Sequence, residues 1–99
     1  MALSEHQKKY LRRLGHDLHP IVRVGRQGLS ANVITELGRA LADHELVKVS
    51  ARVGAREERN ALLAELATAS ASELVQQIGN VGLFYKRNNK LSNVLIPDS

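Results

Sequence analysis

Residues 46 to 53 alternate strictly, with Val47, Val49, Ala51 and Val53 on one side of an extended chain and Leu46, Lys48, Ser50 and Arg52 on the other. A period of two predicts a half-buried strand, which Gly54 ends. The period changes on both sides of it. Upstream, Val33, Ile34, Leu37, Ala40 and Leu41 follow the helical repeat behind Ser30, a residue suited to capping a helix, and this helix is expected to reach about Asp43. Downstream, residues 55 to about 69 favour helix, with Glu57 and Glu58 near its positive end and Leu62, Leu63 and Leu66 on the packing side. A strand between two amphipathic helices must belong to a sheet that helices cover, and strands separated by helices tend to pair in parallel.

The remaining elements extend this frame. Ser4 and Gln7 make a capping-box pattern, so residues 4 to 14 read as a helix. Gln7, Tyr10, Leu11, Leu14 and Leu18 form its expected packing side, and Lys8, Lys9, Arg12 and Arg13 form a basic stripe opposite. Gly15 is a plausible C-cap, and Pro20 keeps His19 out of helical geometry. Residues 21 to 24 (Ile21, Val22, Arg23, Val24) read as a short strand. Residues 73 to 78 and 83 to 86 read as two more strands, with 79 to 82 as the bend, and residues 91 to 96 as a further edge strand. The order α-β-α-β-α-β-β predicts an α/β (α+β two-layer) fold with a mixed four-stranded sheet, and 99 residues suffice for one domain, residues 1 to 99.

Composition narrows the chemistry. With no cysteine, thiolate catalysis, thiolate metal sites and disulfides are excluded. Three aromatic residues, Tyr10, Phe84 and Tyr85, leave little surface for stacking bases. The net charge is +4, and it is unevenly spread. Residues 1 to 30 carry six basic and two acidic groups, residues 31 to 83 carry five and seven, and Lys86, Arg87 and Lys90 follow close together. Such a distribution favours anionic partners. The first residues turn basic and polar without an apolar run, and no stretch approaches the roughly 20 apolar residues of a membrane helix. The expectation is a cytoplasmic protein with no membrane partner.

One stretch combines the features of an anion site. Gly25, Arg26, Gln27 and Gly28 lie after a strand and before the Ser30-capped helix. Glycine lets a backbone approach phosphate closely, helix-start N–H groups carry partial positive charge, and Arg26 adds a full charge with five donors. The spacing G-x-x-G by itself is also that of an ordinary strand-to-helix turn with a solvated arginine. It is too short for a nucleotide-binding P-loop, and no Lys-Ser or Lys-Thr pair follows. Arg23, the stripe Lys8, Lys9, Arg12 and Arg13, and the cluster Lys86, Arg87 and Lys90 would give the loop a basic surround if they converge.

These residues together resemble the CRM-domain family of RNA-binding proteins, most closely its stand-alone bacterial members of the YhbY type. The resemblance runs from Leu3 to Arg87. It takes in Leu14, His16, Leu18, Pro20 and Val22, then Gly25, Gly28 and Leu29, then residues 44 to 49, Arg56 and Glu57, and finally residues 74 to 79 with Leu83, Tyr85 and Arg87. Asn80 stands where relatives often carry a basic residue, and Ala55 where they often carry an acidic one. The resemblance implies a fold similar to the C-terminal domain of bacterial translation initiation factor three. It implies a G-x-x-G loop likened to that of KH domains, which clamp an RNA backbone. It also implies ribosomal RNA in precursors of the large ribosomal subunit as the partner.

Other chemistry finds little support. His16 and His19 lack the companions of a zinc site. Glu57 and Glu58 sit where a helix dipole keeps them anionic, the wrong state for a general acid. No serine lies in a G-x-S-x-G elbow. The chain therefore reads as a non-enzymatic RNA-binding protein with no cofactor, no metal and no small-molecule substrate. A module whose basic face meets an acidic protein on ribosomal precursors is the alternative.

Overall fold

The computed structural model describes residues 3–25 and 27–87. They form α1 (Glu5–Gly15), β1 (Pro20–Val24), α2 (Ala31–His44), β2 (Leu46–Ala51), α3 (Arg56–Ala69), β3 (Glu73–Ile78) and β4 (Val81–Tyr85). The four strands make one sheet in the order β1-β2-β4-β3. β1 and β2, joined through α2, pair in parallel, and β4 lies antiparallel to both β2 and β3. The α/β class and the mixed sheet are those expected from sequence. Residues 91 to 96, read as an edge strand, lie outside the described residues.

Side-chain alternation divides the core between the two faces of the sheet. On one face Val22, Val24, Val47, Val49, Ala51 and Phe84 pack against Leu37 and Leu41 of α2 and Leu63, Leu66 and Ala67 of α3. On the other, Leu46, Val75, Leu83 and Tyr85 pack against Leu3 and Leu11. The helix α1 thus adds a partial third layer to the expected two. Losing a fully buried side chain such as Leu37 or Leu63 should cost about 2–5 kcal/mol.

The packing side of α1 differs from the one its sequence suggests. Gln7, Leu11 and Gly15, spaced by four, face the sheet, whereas Leu14 and Leu18 remain 38% and 37% exposed. Gly15 is the cause. It is helical, not a cap, and a Cβ there would stand 2.7 Å from Leu83 Cδ2, so the missing side chain lets the end of α1 settle onto β4. Leu18 lies beyond the helix. With Ile21, Leu46 and Val47 the two leucines border an open groove of about 550 Å³. At the start of α1 both capping-box bonds form: Ser4 Oγ accepts from Gln7 N–H at 3.1 Å, and Ser4 N–H donates to Gln7 Oε1 at 2.9 Å.

The β3–β4 connection is tighter than expected. Ile78 pairs with Val81, so only Gly79 and Asn80 form the turn. Gly79 takes φ +59° at the first central position, where a two-residue type II′ hairpin calls for glycine.

Candidate nucleic-acid interface

Three connections meet at one end of the sheet: Gly25, Gln27 and Gly28 after β1, residues 52 to 55 after β2, and the turn Gly79-Asn80. Backbone bonds tie them together, Arg52 N–H donating to Val24 O at 3.2 Å and Ala51 N–H to Asn80 O at 2.7 Å. In the first connection Gly28 N–H donates to Gly25 O at 3.0 Å, closing a turn, and Gly28 takes φ +70°, a conformation that disfavours side chains. Gly25 and Gln27 are exposed, and nothing stands within 4 Å of a Cβ built on Gly25. A ligand could therefore reach the Gly25 backbone. Gly28 rests on α3, where a Cβ would meet Leu62 Cδ1 at 3.6 Å.

Ser30 caps α2 as its position suggested, accepting from Val33 N–H at 3.3 Å. No acidic residue occupies the first turn of α2, so its positive end is not neutralised locally. Arg26 lies outside the described residues. Arg23 is exposed, and its alternation with the buried Val22 and Val24 puts it on the sheet face that carries α1.

The same end holds arginines that sequence reasoning did not place at the site. Arg56 and Arg59, in the first turns of α3, line an open cleft of about 440 Å³ with Asn60, Gln77 and Gly79. Arg59 falls in helical phase with the buried Leu63 and Leu66, and its Nε is buried without a hydrogen-bond partner among the described residues. A charged residue in the apolar stripe of a helix was the signal available in the sequence. The start of α3 also lacks a side-chain cap, because Ala55 occupies the N-cap position in extended geometry, φ −80° and ψ 169°.

The other predicted basic residues do not gather around the loop. Lys86 and Arg87 follow β4 at the opposite end of the sheet, where Tyr85 pairs with Leu46, whereas Val24 pairs with Ala51 at the loop end. The length of β2, about 17 Å at 3.3 Å per residue, separates the two ends. Lys86 N–H donates to Glu45 O at 2.9 Å, and Lys86 Nζ to Ser70 O at 3.3 Å. Beside it Tyr85 is buried, and its hydroxyl titrates above the usual tyrosine range, chiefly because burial penalises the phenolate. The Glu45 carboxylate adds to that rise, and the Arg87 guanidinium opposes it.

On α1, Lys9 and Arg13 are exposed and Lys8 and Arg12 half-buried. Lys8 Nζ stands 3.8 Å from Glu5 Oε1, a surface pair of small energetic weight. These four project from the layer beyond the sheet, on the face that also carries Arg23. Lys90 lies outside the described residues.

A family model described as the CRS1 / YhbY (CRM) domain matches residues 3–86. A Pseudomonas aeruginosa protein named Probable RNA-binding protein PA4753 is 47% identical over 98 residues, covering 95% of this chain and 94% of that one. Probable RNA-binding protein YqeI of Bacillus subtilis is 37% identical over 95 residues, covering 96% and 99%. Among solved structures, the solution structure of SAV1595 from Staphylococcus aureus is similar at a TM-score of 0.84 and 32% identity, covering 97% of this chain and all of the other.

Proposed function

The chain belongs to the CRS1 / YhbY (CRM) domain family, and from that premise we propose that it is a non-catalytic RNA-binding protein that holds a phosphate backbone at the loop Gly25-Arg26-Gln27-Gly28. The observation that carries the loop assignment is its setting. Accessible glycine backbone, an unneutralised capped helix start and a surround of arginines share one end of the sheet. The names of the relatives support RNA as the polyanion.

The partner we propose is structured ribosomal RNA in precursors of the large subunit, in the cytoplasm. Backbone contacts give affinity with little sequence discrimination and a steep dependence on salt. Arg23 extends the loop surface toward the face of α1, where Lys8, Lys9, Arg12 and Arg13 contribute longer-range attraction. Lys86 and Arg87 follow β4 and add to the field at a distance from the loop, and Lys90, outside the described residues, adds a further positive charge.

Titration of a fluorescent large-subunit ribosomal RNA fragment at several salt concentrations tests the reading. It predicts measurable binding at low salt that weakens steeply as salt rises. No binding at low salt would refute it. Crosslinking in cells with sequencing of the attached RNA checks the ribosomal assignment, and a pull-down with and without ribonuclease separates RNA from a direct protein partner.

A further inference from the structure

The cleft between α3 and the β3–β4 hairpin has the makeup of a second anion site. Two guanidinium groups, Arg56 and Arg59, line it, and among the described residues neither forms an ion pair, although Glu57 and Glu58 occupy the same turn. The Nε of Arg59 is buried and has no hydrogen-bond partner among the described residues, and a buried donor left in that state costs free energy that an acceptor would recover. Asn60 and Gln77 join across the cleft through an amide–amide bond, Gln77 Nε2 donating to Asn60 Oδ1. In this orientation the Asn60 NH2 and the Gln77 carbonyl stay available; were both amides reversed, the pair would still offer one NH2 and one carbonyl. Two guanidinium forks and an amide donor match the oxygens of a phosphate, and guanidinium binds phosphate through paired N–H donors.

The cleft is joined to the loop through one helix. Gly28 rests on Leu62, and Arg59 lies three residues before it, about 4.5 Å along the axis of α3 at 1.5 Å per residue. A strand held at the loop would therefore pass close to the cleft.

We propose that Arg56, Arg59 and Asn60 bind a second phosphate of the same RNA strand that the Gly25–Gly28 loop holds, giving a two-point grip on the backbone. The proposal rests on the RNA reading above, and its test separates the two. Inorganic phosphate is titrated into the full chain while the Arg59 Nε–Hε resonance is followed by NMR. RNA affinity is then measured for Asn60→Asp and for the double variant Arg56→Gln/Arg59→Gln, with melting temperatures recorded.

The proposal expects a saturable shift of the Arg59 resonance with phosphate. Asn60→Asp, which leaves the apolar contacts of α3 in place, should weaken RNA binding by roughly tenfold or more, as expected for charge-assisted hydrogen bonds. The double variant should lower the slope of log affinity against log salt by about 0.7–0.9, the value for one phosphate contact. An Arg59 resonance that neither phosphate nor RNA moves, or folded variants that bind RNA like the parent, would overturn it. If the parent binds no RNA while phosphate still shifts Arg59, the RNA reading fails and a phosphate site in the cleft stands.

Discussion

The two ends of the sheet carry the same sign of charge and use it differently. Beyond β4, Lys86 is committed to the fold, its backbone bonded to Glu45 and its ammonium to Ser70, next to buried Glu45, Ser70 and Tyr85. Beyond β1 and β2, glycine backbone is accessible at Gly25, and Arg56 and Arg59 face a cleft without ion-pair partners among the described residues. A basic cluster in a sequence therefore says little about binding until the partners of each charge are known. Groups already bonded within the fold stabilise it, and groups that are not remain available to an external anion.

The comparison can be broken most easily at Gly28. Gly28→Asp should weaken RNA binding by more than about tenfold, since it adds a negative charge beside the loop backbone proposed to hold phosphate. Gly28→Ala separates backbone from charge: the side chain meets Leu62 at an ordinary distance, so the cost is the φ of +70°, about 1 kcal/mol of stability read by denaturant unfolding. If Gly28→Asp binds RNA like Gly28→Ala, the loop does not touch phosphate.

A gain of similar size is available at the uncapped helix. Ala55→Ser restores a side-chain acceptor in a backbone conformation that suits it and should raise stability by about 1 kcal/mol. RNA affinity should stay near that of the parent.

At the opposite end, Lys86→Gln should cost at most about 1 kcal/mol, the worth of a partly exposed hydrogen bond, and leave RNA affinity within about twofold. A loss of RNA binding without a change in stability would reverse the assignment of the two ends. The smallest effect is expected from Tyr85. Because its native pKa lies above the unfolded value, the native state keeps the proton that the unfolded chain releases, so this group's contribution is present below about pH 10 and lost as pH rises through the native pKa. Stability measured between pH 9 and 11 should therefore fall less steeply in Tyr85→Phe than in the parent.

Local signals in the sequence were legible because the interactions behind them are local. The bond from Ser4 to Gln7, the cap at Ser30, the alternation through β2 and the start of α3 all depend on neighbours in the chain. The family resemblance read from the residues is the family that was found. Long-range features were not legible. The insertion of β4 between β2 and β3 decides which strand ends share an edge, and it brought residues 52 to 55 and the Gly79-Asn80 turn beside the loop while carrying Lys86 away from it. The role of Gly15 depends on Leu83, nearly seventy positions later, and the exposure of Leu14 and Leu18 follows from that contact. Arg59 was visible as a charge in phase with Leu63 and Leu66, but only the hairpin opposite it forms a cleft.

The central claim, that RNA is held at the loop end of the sheet, is tested most directly by comparing the salt dependence of RNA binding in two variants. Arg26→Ala removes a charge at the loop, and Lys86→Gln/Arg87→Gln removes two at the other end. The account predicts a slope of log affinity against log salt smaller by about 0.7–0.9 for Arg26→Ala, one phosphate contact, and nearly unchanged for the double variant. An unchanged slope in Arg26→Ala with a loss of about 1.4–1.8 in the double variant would contradict it.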